Sequence, residues 1–207
     1  TGTIRNSPMM MNTKRAITQL NELKKRGKEL RLAADGWEDD WKTLIATLMS
    51  ARTTDKKTIP VAEGLFKRYN NLKKLSNARL GEVEGVIRGV NFYKTKAKHI
   101  IGLAKMLVAD YSSQVPHDFS KLVELPGVGR KTANVFLAEK GHAAIGVDTH
   151  LLYCARRLGW SKNKSPNKVE EDLQGLFPKH YWGELNWIVV RFGQSYRSKR
   201  EKNALLD

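Results

Sequence analysis

The stretch LPGVGRKTA, residues 125–133, decides the predicted fold of this chain. Pro126 fixes one dihedral of a turn, while Gly127 and Gly129 permit a positive φ and place no Cβ atom between the backbone and a ligand. On either side, residues 119–125 and 131–140 have the composition and apolar spacing of helices. The sequence therefore predicts a helix, a glycine hairpin and a second helix whose first amides, unpaired within the helix, can hold an anion.

The overall charge favours the same kind of ligand. The chain of 207 residues has 37 lysines and arginines against 21 acidic residues, a formal net charge of +16, which attracts polyanions. Nucleic acid is the first candidate, and an anionic membrane surface and an ordinary solvated basic face are the alternatives. No apolar run approaches the roughly 20 residues of a membrane-spanning helix and no signal peptide is evident, so we expect no membrane partner.

The chain contains a single cysteine, Cys154. One thiol excludes an intrachain disulfide and a multi-cysteine metal site within these residues, and it fits a reducing compartment. The apolar neighbours of Cys154 in LLYCARRL predict a buried helical thiol rather than a nucleophile. We expect an intracellular location, in the cytoplasm and nucleoid or in a nucleus. None of the histidines has the tight spacing of metal ligands: His99, His117, His142, His150 and His180.

Almost every apolar pattern in the chain is helical, and no segment alternates with a period of two. Asp39 and Asp40 mark one helix start, Asp118 is a candidate N-cap, and Ser165 before Pro166 marks another start. The fold class is therefore predicted to be all α. Residues 1–9 are interpreted as a cloning remnant and are left out of the fold. The helical stripes are Trp41, Leu44, Ile45, Leu48 and Met49; Ile100, Ala104, Leu107 and Val108; Leu151, Leu152, Ala155 and Leu158; Val169, Leu173 and Leu176; and Leu185, Ile188, Val189 and Phe192.

Two side chains near the hairpin suggest chemistry. Lys131 begins the second predicted helix, and Asp148 follows in GVDTH. The helix dipole, the neighbouring Arg130 and partial burial would favour an uncharged lysine able to form a Schiff base, and the alternative is a cation that contacts phosphate. Asp148 can cap the next helix, and it can also stabilise an oxocarbenium ion and move protons, since the two roles are compatible.

Several motifs resemble those of the endonuclease III family within the helix-hairpin-helix superfamily of DNA glycosylases. They are LPGVGRKTANV with the later VDTH, LIATLMSARTTDKK at 44–57, GVNFYKTKAKHI at 89–100 and WIVVRFG at 187–193, in the family's order and approximate spacing. The resemblance implies two helical domains with a DNA-binding cleft between them. A helical barrel at 33–141 would contain the hairpin, and residues 10–32 with 142–207 would form the second domain.

The resemblance also implies an activity in base-excision repair. The expected enzyme is a bifunctional DNA glycosylase and AP lyase that removes oxidised pyrimidines such as thymine glycol and cleaves the strand by β-elimination. Lys131 matches the lysine that attacks C1′, and Asp148 matches the aspartate that assists departure of the base. The alternatives are a glycosylase for uracil, thymine or another lesion, an AP lyase with weak base excision, and a DNA-damage-binding protein without turnover. The implied partner is double-stranded DNA with damaged bases or abasic sites, bound by a monomer.

Two residues differ from the family's usual DNA-inserting side chains. Arg52 falls where the family usually has a glutamine that reaches into the vacated base position, and Phe92 falls where it has an apolar wedge, often leucine. An arginine can hydrogen-bond the widowed base and an aromatic ring can intercalate, although a core position for Phe92 is the alternative. The lysines near Phe92 either contact phosphate or are solvated cations. The predicted DNA contacts are Arg52, Phe92, Lys94, Lys96, Pro126, Gly127, Val128, Gly129, Arg130, Thr149 and His150.

The segment after WIVVRFG departs most from the family. Endonuclease III typically has four cysteines there that ligate a 4Fe–4S cluster. This chain has FGQSYRSKREKNALLD, with Arg197 near the place of the first cysteine. We therefore expect no cluster and no other cofactor, and Arg197, Lys199 and Arg200 are candidates to replace the DNA contacts of the cluster loop.

Overall fold

The protein is represented by a computed structural model that describes residues 8–196 and 198–206. Residues 1–7, which form most of the predicted cloning remnant, and Arg197 lie outside the described residues. Within the described ranges all regular secondary structure is helical, which confirms the all-α prediction. No helix in these ranges is both long enough and apolar enough to cross a membrane.

The described chain divides into two compact units. We call Arg31–Lys140 the hairpin unit, and the described residues up to Leu30 together with those from Gly141 onward the terminal unit. The helices are α1 (Pro8–Arg26), α2 (Asp40–Ser50), α3 (Asp55–Arg68), α4 (Leu72–Ser76), α5 (Leu80–Val86), α6 (Tyr93–Asp110), α7 (Phe119–Leu122), α8 (Arg130–Glu139), α9 (Thr149–Arg157), α10 (Pro166–Leu176), a 3-10 turn (Lys179–Tyr181), α11 (Trp182–Ser195) and α12 (Lys199–Leu206).

Helix α2 lies in the core of the hairpin unit. It packs against α3, α6 and α8, while α4 and α5 pack against α6. Leu44, Ile45 and Met49 are fully buried, as the helical stripe predicts. At the start of α2 the Asp40 carboxylate contacts His117 Nε2 at 2.6 Å and Lys140 Nζ at 2.9 Å. Partial burial alone would raise the pKa of Asp40, but these hydrogen bonds lower it. The carboxylate thus joins α2 to the end of α8, the helix that follows the hairpin.

The helix before the hairpin is shorter than predicted. Asp118 caps it, because its carboxylate accepts a hydrogen bond from Lys121 N at 3.1 Å. The helix α7 then ends at Leu122, although the sequence predicts one over 119–125. Pro126 explains the early end, since a proline disfavours the helical conformation of the residue before it. The residues after Leu122 form turns, in which Leu125 N donates a hydrogen bond to Leu122 O at 3.1 Å.

The terminal unit is built around α11. Helices α1 and α9 pack against α11, and α10 packs against both α1 and α9. Its core contains Leu20, Leu151, Val189 and Phe192, all fully buried. Helix α10 begins at Pro166 as predicted, but the Ser165 side chain makes no capping hydrogen bond.

Helix α12 lies within the segment in which the resemblance places the ligands of the family's cluster. Leu206 of α12 belongs to the hydrophobic core of the terminal unit. The Tyr153 hydroxyl of α9 donates a hydrogen bond to Asn203 Oδ1 of α12. Apolar burial and a side-chain hydrogen bond therefore attach α12 to α9, the helix that begins beside Asp148.

Candidate functional site

The hairpin between α7 and α8 is a tight glycine turn. Val128 N donates to Leu125 O at 3.1 Å, and Gly127 between them has φ +76°. Proline at the second position of the turn and a glycine with positive φ at the third are the pattern of a type II turn. Gly129 follows as the N-cap of α8, in an extended conformation. The helix, hairpin and helix predicted from LPGVGRKTA are therefore all present.

The hairpin lies directly on α6. A Cβ atom on Gly127 would lie 2.7 Å from His99 Cβ and 2.8 Å from His99 Cγ, closer than side chains pack. A Cβ atom on Gly102 would lie 3.3 Å from Pro126 Cγ. Position 127 thus requires glycine for two reasons, the lack of space for a Cβ atom and the positive φ. The contact with α6 fixes the position of the turn.

Most of the predicted contact residues of the hairpin are accessible, with one exception. Gly127, Gly129 and Arg130 are exposed and Pro126 is half-buried, and the guanidinium of Arg130 lies 5.1 Å from the centre of the Phe119 ring. Val128 is only 5% exposed, and its amide is already bonded to Leu125 O. Its prediction as a DNA contact is corrected accordingly: Val128 closes the turn and anchors it in the core.

Lys131 is the second residue of α8 and is half-buried. Its ammonium is near the positive end of the helix dipole. Within the described part of the chain, no carboxylate lies within ion-pair distance of its Nζ atom. The charge of Lys131 is close enough to Lys96 to affect that residue's protonation. The amine therefore occupies a cationic neighbourhood beside the hairpin, suited to an anionic ligand, and no salt bridge with a described residue holds it.

The side chains of Arg52 and Phe92 lie together, although Arg52 is 39 positions before Asn91, the neighbour of Phe92, in the sequence. The guanidinium carbon of Arg52 lies 5.1 Å from the centre of the Phe92 ring. Both residues have left-handed backbones, with φ of 55° and 57°, and the Phe92 side chain is 57% exposed. The core alternative for Phe92 is therefore wrong. Non-glycine residues in this conformation carry strain of about 1–3 kcal/mol and cluster at functional sites. We call Arg52 and Phe92 the wedge.

Two residues that the sequence analysis missed hold the wedge together. The Asn91 side-chain amide donates to Arg52 O at 2.5 Å, and Asn91 N donates to Thr53 Oγ1 at 3.0 Å. Both lie beside wedge residues in the motifs SARTTD and GVNFYK, yet nothing in the sequence indicates that the two segments touch.

Lys96 requires a second correction. The sequence places it with Lys94 among the phosphate contacts, and Lys94 is indeed exposed in the first turn of α6. Lys96 is instead buried, and its Nζ atom donates hydrogen bonds to Met49 O and Ala51 O at the end of α2 and to Thr53 Oγ1 in the loop that follows. Burial, and to a smaller extent the charge of Lys131, lower the pKa of Lys96 to about 8. The sequence does contain an indication that Lys96 is buried, because Lys96 lies on the same helical stripe as Ile100, four residues later.

The terminal unit places Asp148 at the N-terminus of α9. Its Oδ1 atom accepts a hydrogen bond from Leu151 N at 2.8 Å, so the predicted capping role is confirmed. Thr149 is the exposed first residue of α9. His150 is half-buried, and its imidazole lies so close to Gly193 of α11 that no Cβ atom would fit there. The Asn186 amide donates to Gly146 O at 2.7 Å and holds the loop before Asp148.

The residues of the terminal unit do not fit an iron–sulfur cluster. A 4Fe–4S cluster requires four cysteine thiolates, and the sequence has one cysteine. That thiol is buried, and burial raises the pKa of Cys154 to about 12. Among the described residues, no group of three or more histidine, cysteine or acidic side chains could hold a metal ion. Lys199 and Arg200 are exposed on α12, whereas Arg197 lies outside the described residues.

A glycine substitution tests the packing of the hairpin on α6. We expect Gly127→Ala to lower the free energy of unfolding in urea by more than the roughly 1–2 kcal/mol of a left-handed alanine, because the methyl group also meets His99. Affinity for duplex DNA, measured by fluorescence anisotropy, should fall as well. Gly64→Ala is the control, since this exposed helical glycine has open space around it. We expect this substitution to raise the free energy of unfolding by about 1 kcal/mol or less. Similar stability of the two variants would contradict the described packing.

Comparisons with known proteins agree with this architecture. Residues 45–179 match the family described as HhH-GPD superfamily base excision DNA repair protein. The chain is 37% identical over 157 residues to endonuclease III of Thermotoga maritima, a match that covers 75% of this chain and 74% of that protein. It is 39% identical over 170 residues to endonuclease III of Treponema pallidum, covering 80% of each.

A solved structure extends the likeness to three dimensions. It is described as a trapped endonuclease III–DNA covalent intermediate in an estranged-adenine complex. It matches with a TM-score of 0.83 at 32% identity, covering 91% of this chain and 89% of that chain. Family, sequence and fold therefore agree, and the chain belongs to the endonuclease III family of the HhH-GPD superfamily of base excision DNA repair proteins.

Proposed function

We propose that this protein is a bifunctional DNA glycosylase and AP lyase that removes oxidised pyrimidines such as thymine glycol and then cleaves the strand. The observation that carries the proposal is the position of Lys131, which follows the exposed hairpin directly and has no carboxylate partner among the described residues. We further propose that it acts inside the cell, as a monomer on double-stranded DNA.

The hairpin is proposed to hold the DNA backbone beside the lesion. Gly127 and Gly129 are exposed, and the amides at the N-terminus of α8 lack partners within the helix, so a phosphate oxygen can accept hydrogen bonds from this region. Arg130 and Lys94 add exposed cations. Such contacts position the protein without reading sequence, and their strength falls as salt rises.

The wedge is proposed to take the place of the extruded nucleotide. A base inside the duplex shields both its sugar carbon and its glycosidic bond, so the target must leave the stack before it can react. The exposed Phe92 ring can fill the gap between bases, and the adjacent Arg52 guanidinium can hydrogen-bond the widowed base. The 5.1 Å stacking of the two side chains supports a joint action.

Lys131 is proposed to be the nucleophile. Its uncharged amine attacks C1′ of the extruded nucleotide, and the glycosidic bond breaks with its electron pair leaving on the base, which takes up a proton. The sugar ring then opens, O4′ accepts a proton and a Schiff base forms between C1′ and Nζ. Loss of a proton from C2′ expels the 3′ phosphate by β-elimination, and hydrolysis of the imine releases Lys131.

Asp148 is proposed to act as the catalytic carboxylate. One oxygen caps α9, which fixes the direction of the side chain. The carboxylate charge can stabilise the oxocarbenium character that develops as the base leaves, and it can take up or return protons in the later steps.

Borohydride reduction tests the Schiff base. With duplex DNA that contains thymine glycol, we expect a covalent protein–DNA adduct for the unmodified protein and only background for Lys131→Ala, because the proposed Schiff base forms at Lys131 Nζ. Lys105→Ala, an exposed lysine of α6, is the control and should retain the adduct. A panel of lesions with each opposing base identifies the preferred substrate. An adduct that persists in Lys131→Ala, or base release without any adduct, would refute the mechanism.

Two substitutions separate the capping and catalytic roles of Asp148. Asparagine retains a capping oxygen, so Asp148→Asn should keep the thermal stability of the unmodified protein. Asp148→Ala should lower the free energy of unfolding by about 1 kcal/mol, because the capping hydrogen bond is lost. Both variants lack the charge and should reduce single-turnover base excision by about 10²–10⁴-fold. If Asp148→Asn excised thymine glycol at the unmodified rate, Asp148 would be a structural cap alone.

Truncation of the wedge tests the extrusion step. A stacking contact with a base contributes about 1–3 kcal/mol, so Phe92→Ala should slow thymine glycol excision from duplex DNA by about 5–150-fold. Cleavage at a preformed abasic site in single-stranded DNA should change much less, since no base needs to be extruded. Leu80→Ala, another exposed apolar residue of the hairpin unit, serves as the control. Equal losses on both substrates would argue against a wedge.

A further inference from the structure

The ammonium of Lys96 lies inside the hairpin unit, at the end of α2. The residue is 6% exposed, and Nζ donates to Met49 O at 2.7 Å, Ala51 O at 2.6 Å and Thr53 Oγ1 at 3.3 Å. These bonds use all three donors of the ammonium group. Within the described residues no carboxylate lies within ion-pair distance, so carbonyl and hydroxyl dipoles balance the charge.

A buried cation without a counter-ion requires a physical reason. Desolvation makes it unfavourable, and an apolar side chain would fill the same helical stripe without that cost. The reason lies in the end of α2, where Ala51 is the C-cap. The last carbonyls of a helix have no partner within it and carry a partial negative charge, which a cation stabilises. Lys96 supplies that cation to the carbonyls of Met49 and Ala51.

The same bonds support the backbone of Arg52. This residue follows the C-cap of α2, the position that usually carries glycine, yet it has φ 55°. Lys96 holds the residues on both sides of it, Ala51 and Thr53, while Asn91 holds its carbonyl oxygen. A strained arginine backbone persists only where its surroundings fix it, and these contacts do so.

Lys96 also contacts the other half of the wedge. Its backbone N–H donates to Phe92 O at 3.0 Å and closes the first turn of α6. One residue therefore bonds to Phe92 through its main chain and to the neighbours of Arg52 through its side chain. We propose that Lys96 is a positioning residue that holds Arg52 and Phe92 as one preassembled wedge. The consequence for catalysis rests on the proposed glycosylase function, whereas the positioning itself does not.

Hydrogen exchange in the free protein tests the positioning without reference to activity. In Lys96→Met we expect amides of segments 50–54 and 89–93 to exchange about ten-fold faster or more, because the bonds that hold the loop are lost. The core of α2 and the terminal unit should keep their protection. Lys96→Gln, which retains two N–H donors on a shorter chain, should give intermediate exchange. Lys105→Met, an exposed lysine on the same helix, should leave both segments unchanged.

Two exchange results would overturn the proposal. One is unchanged protection of 50–54 and 89–93 in Lys96→Met. The other is a uniform loss of protection across the hairpin unit in both Lys96→Met and Lys96→Gln, because that would make Lys96 a general core residue. Because these measurements need no DNA, they remain decisive even if the protein proves to excise no base.

A double-mutant cycle then connects the positioning to the wedge. We expect Lys96→Met to slow single-turnover excision from duplex DNA by about ten-fold, and by less than about two-fold in the Phe92→Ala background, since residues in one network act non-additively. Additive losses would show that Lys96 acts elsewhere and would overturn its role in the wedge. Failure of the unmodified protein to excise any lesion would instead refute the proposed function and leave the exchange result to decide the positioning.

Discussion

The hydrogen bonds of the buried Lys96 ammonium to the end of α2 are the interaction on which the side of the hairpin unit proposed to face DNA depends. They fix the loop that carries Arg52 to the first turn of α6, where Phe92 lies. One turn further along α6, His99 supports the glycine hairpin. A single helix thus sets the positions of two features that are distant in sequence, and rigid support of this kind is what precise placement of functional groups requires.

In both units, important polar groups lie at the ends of helices. The start of α8 offers amides that have no partner within the helix, the end of α2 receives the Lys96 cation, and the start of α9 receives the Asp148 carboxylate. At the end of α2 and at the start of α9 the charged side chain meets the helix end of opposite sign, which stabilises the fold and orients the side chain. The single cysteine of the sequence cannot supply the four thiolates of the family's iron–sulfur cluster, and α12 packs its Leu206 into the terminal unit.

Periodicity and turn chemistry predicted the helices, the hairpin and the cap at Asp148, because these depend on neighbours within a few residues. Val128 and Lys96 were predicted to contact DNA, but both are buried. A valine between glycines and a lysine among lysines look exposed when the tertiary packing around them is unknown. The contact between Arg52 and Phe92, and the Asn91 bond that fixes it, join segments about forty residues apart. Such long-range pairings follow from the packing of α2 on α6, which local sequence patterns do not predict.

Peptide mapping of the borohydride-reduced complex tests the central claim most directly, because it identifies the atom that attacked the sugar. After digestion of the protein and the DNA, mass spectrometry should find the deoxyribose remnant on the peptide that contains Lys131, at Nζ. Lys131 is the expected position because it lies beside the hairpin, at the start of α8. A remnant on Lys96, on another lysine or on the terminal amine would contradict it.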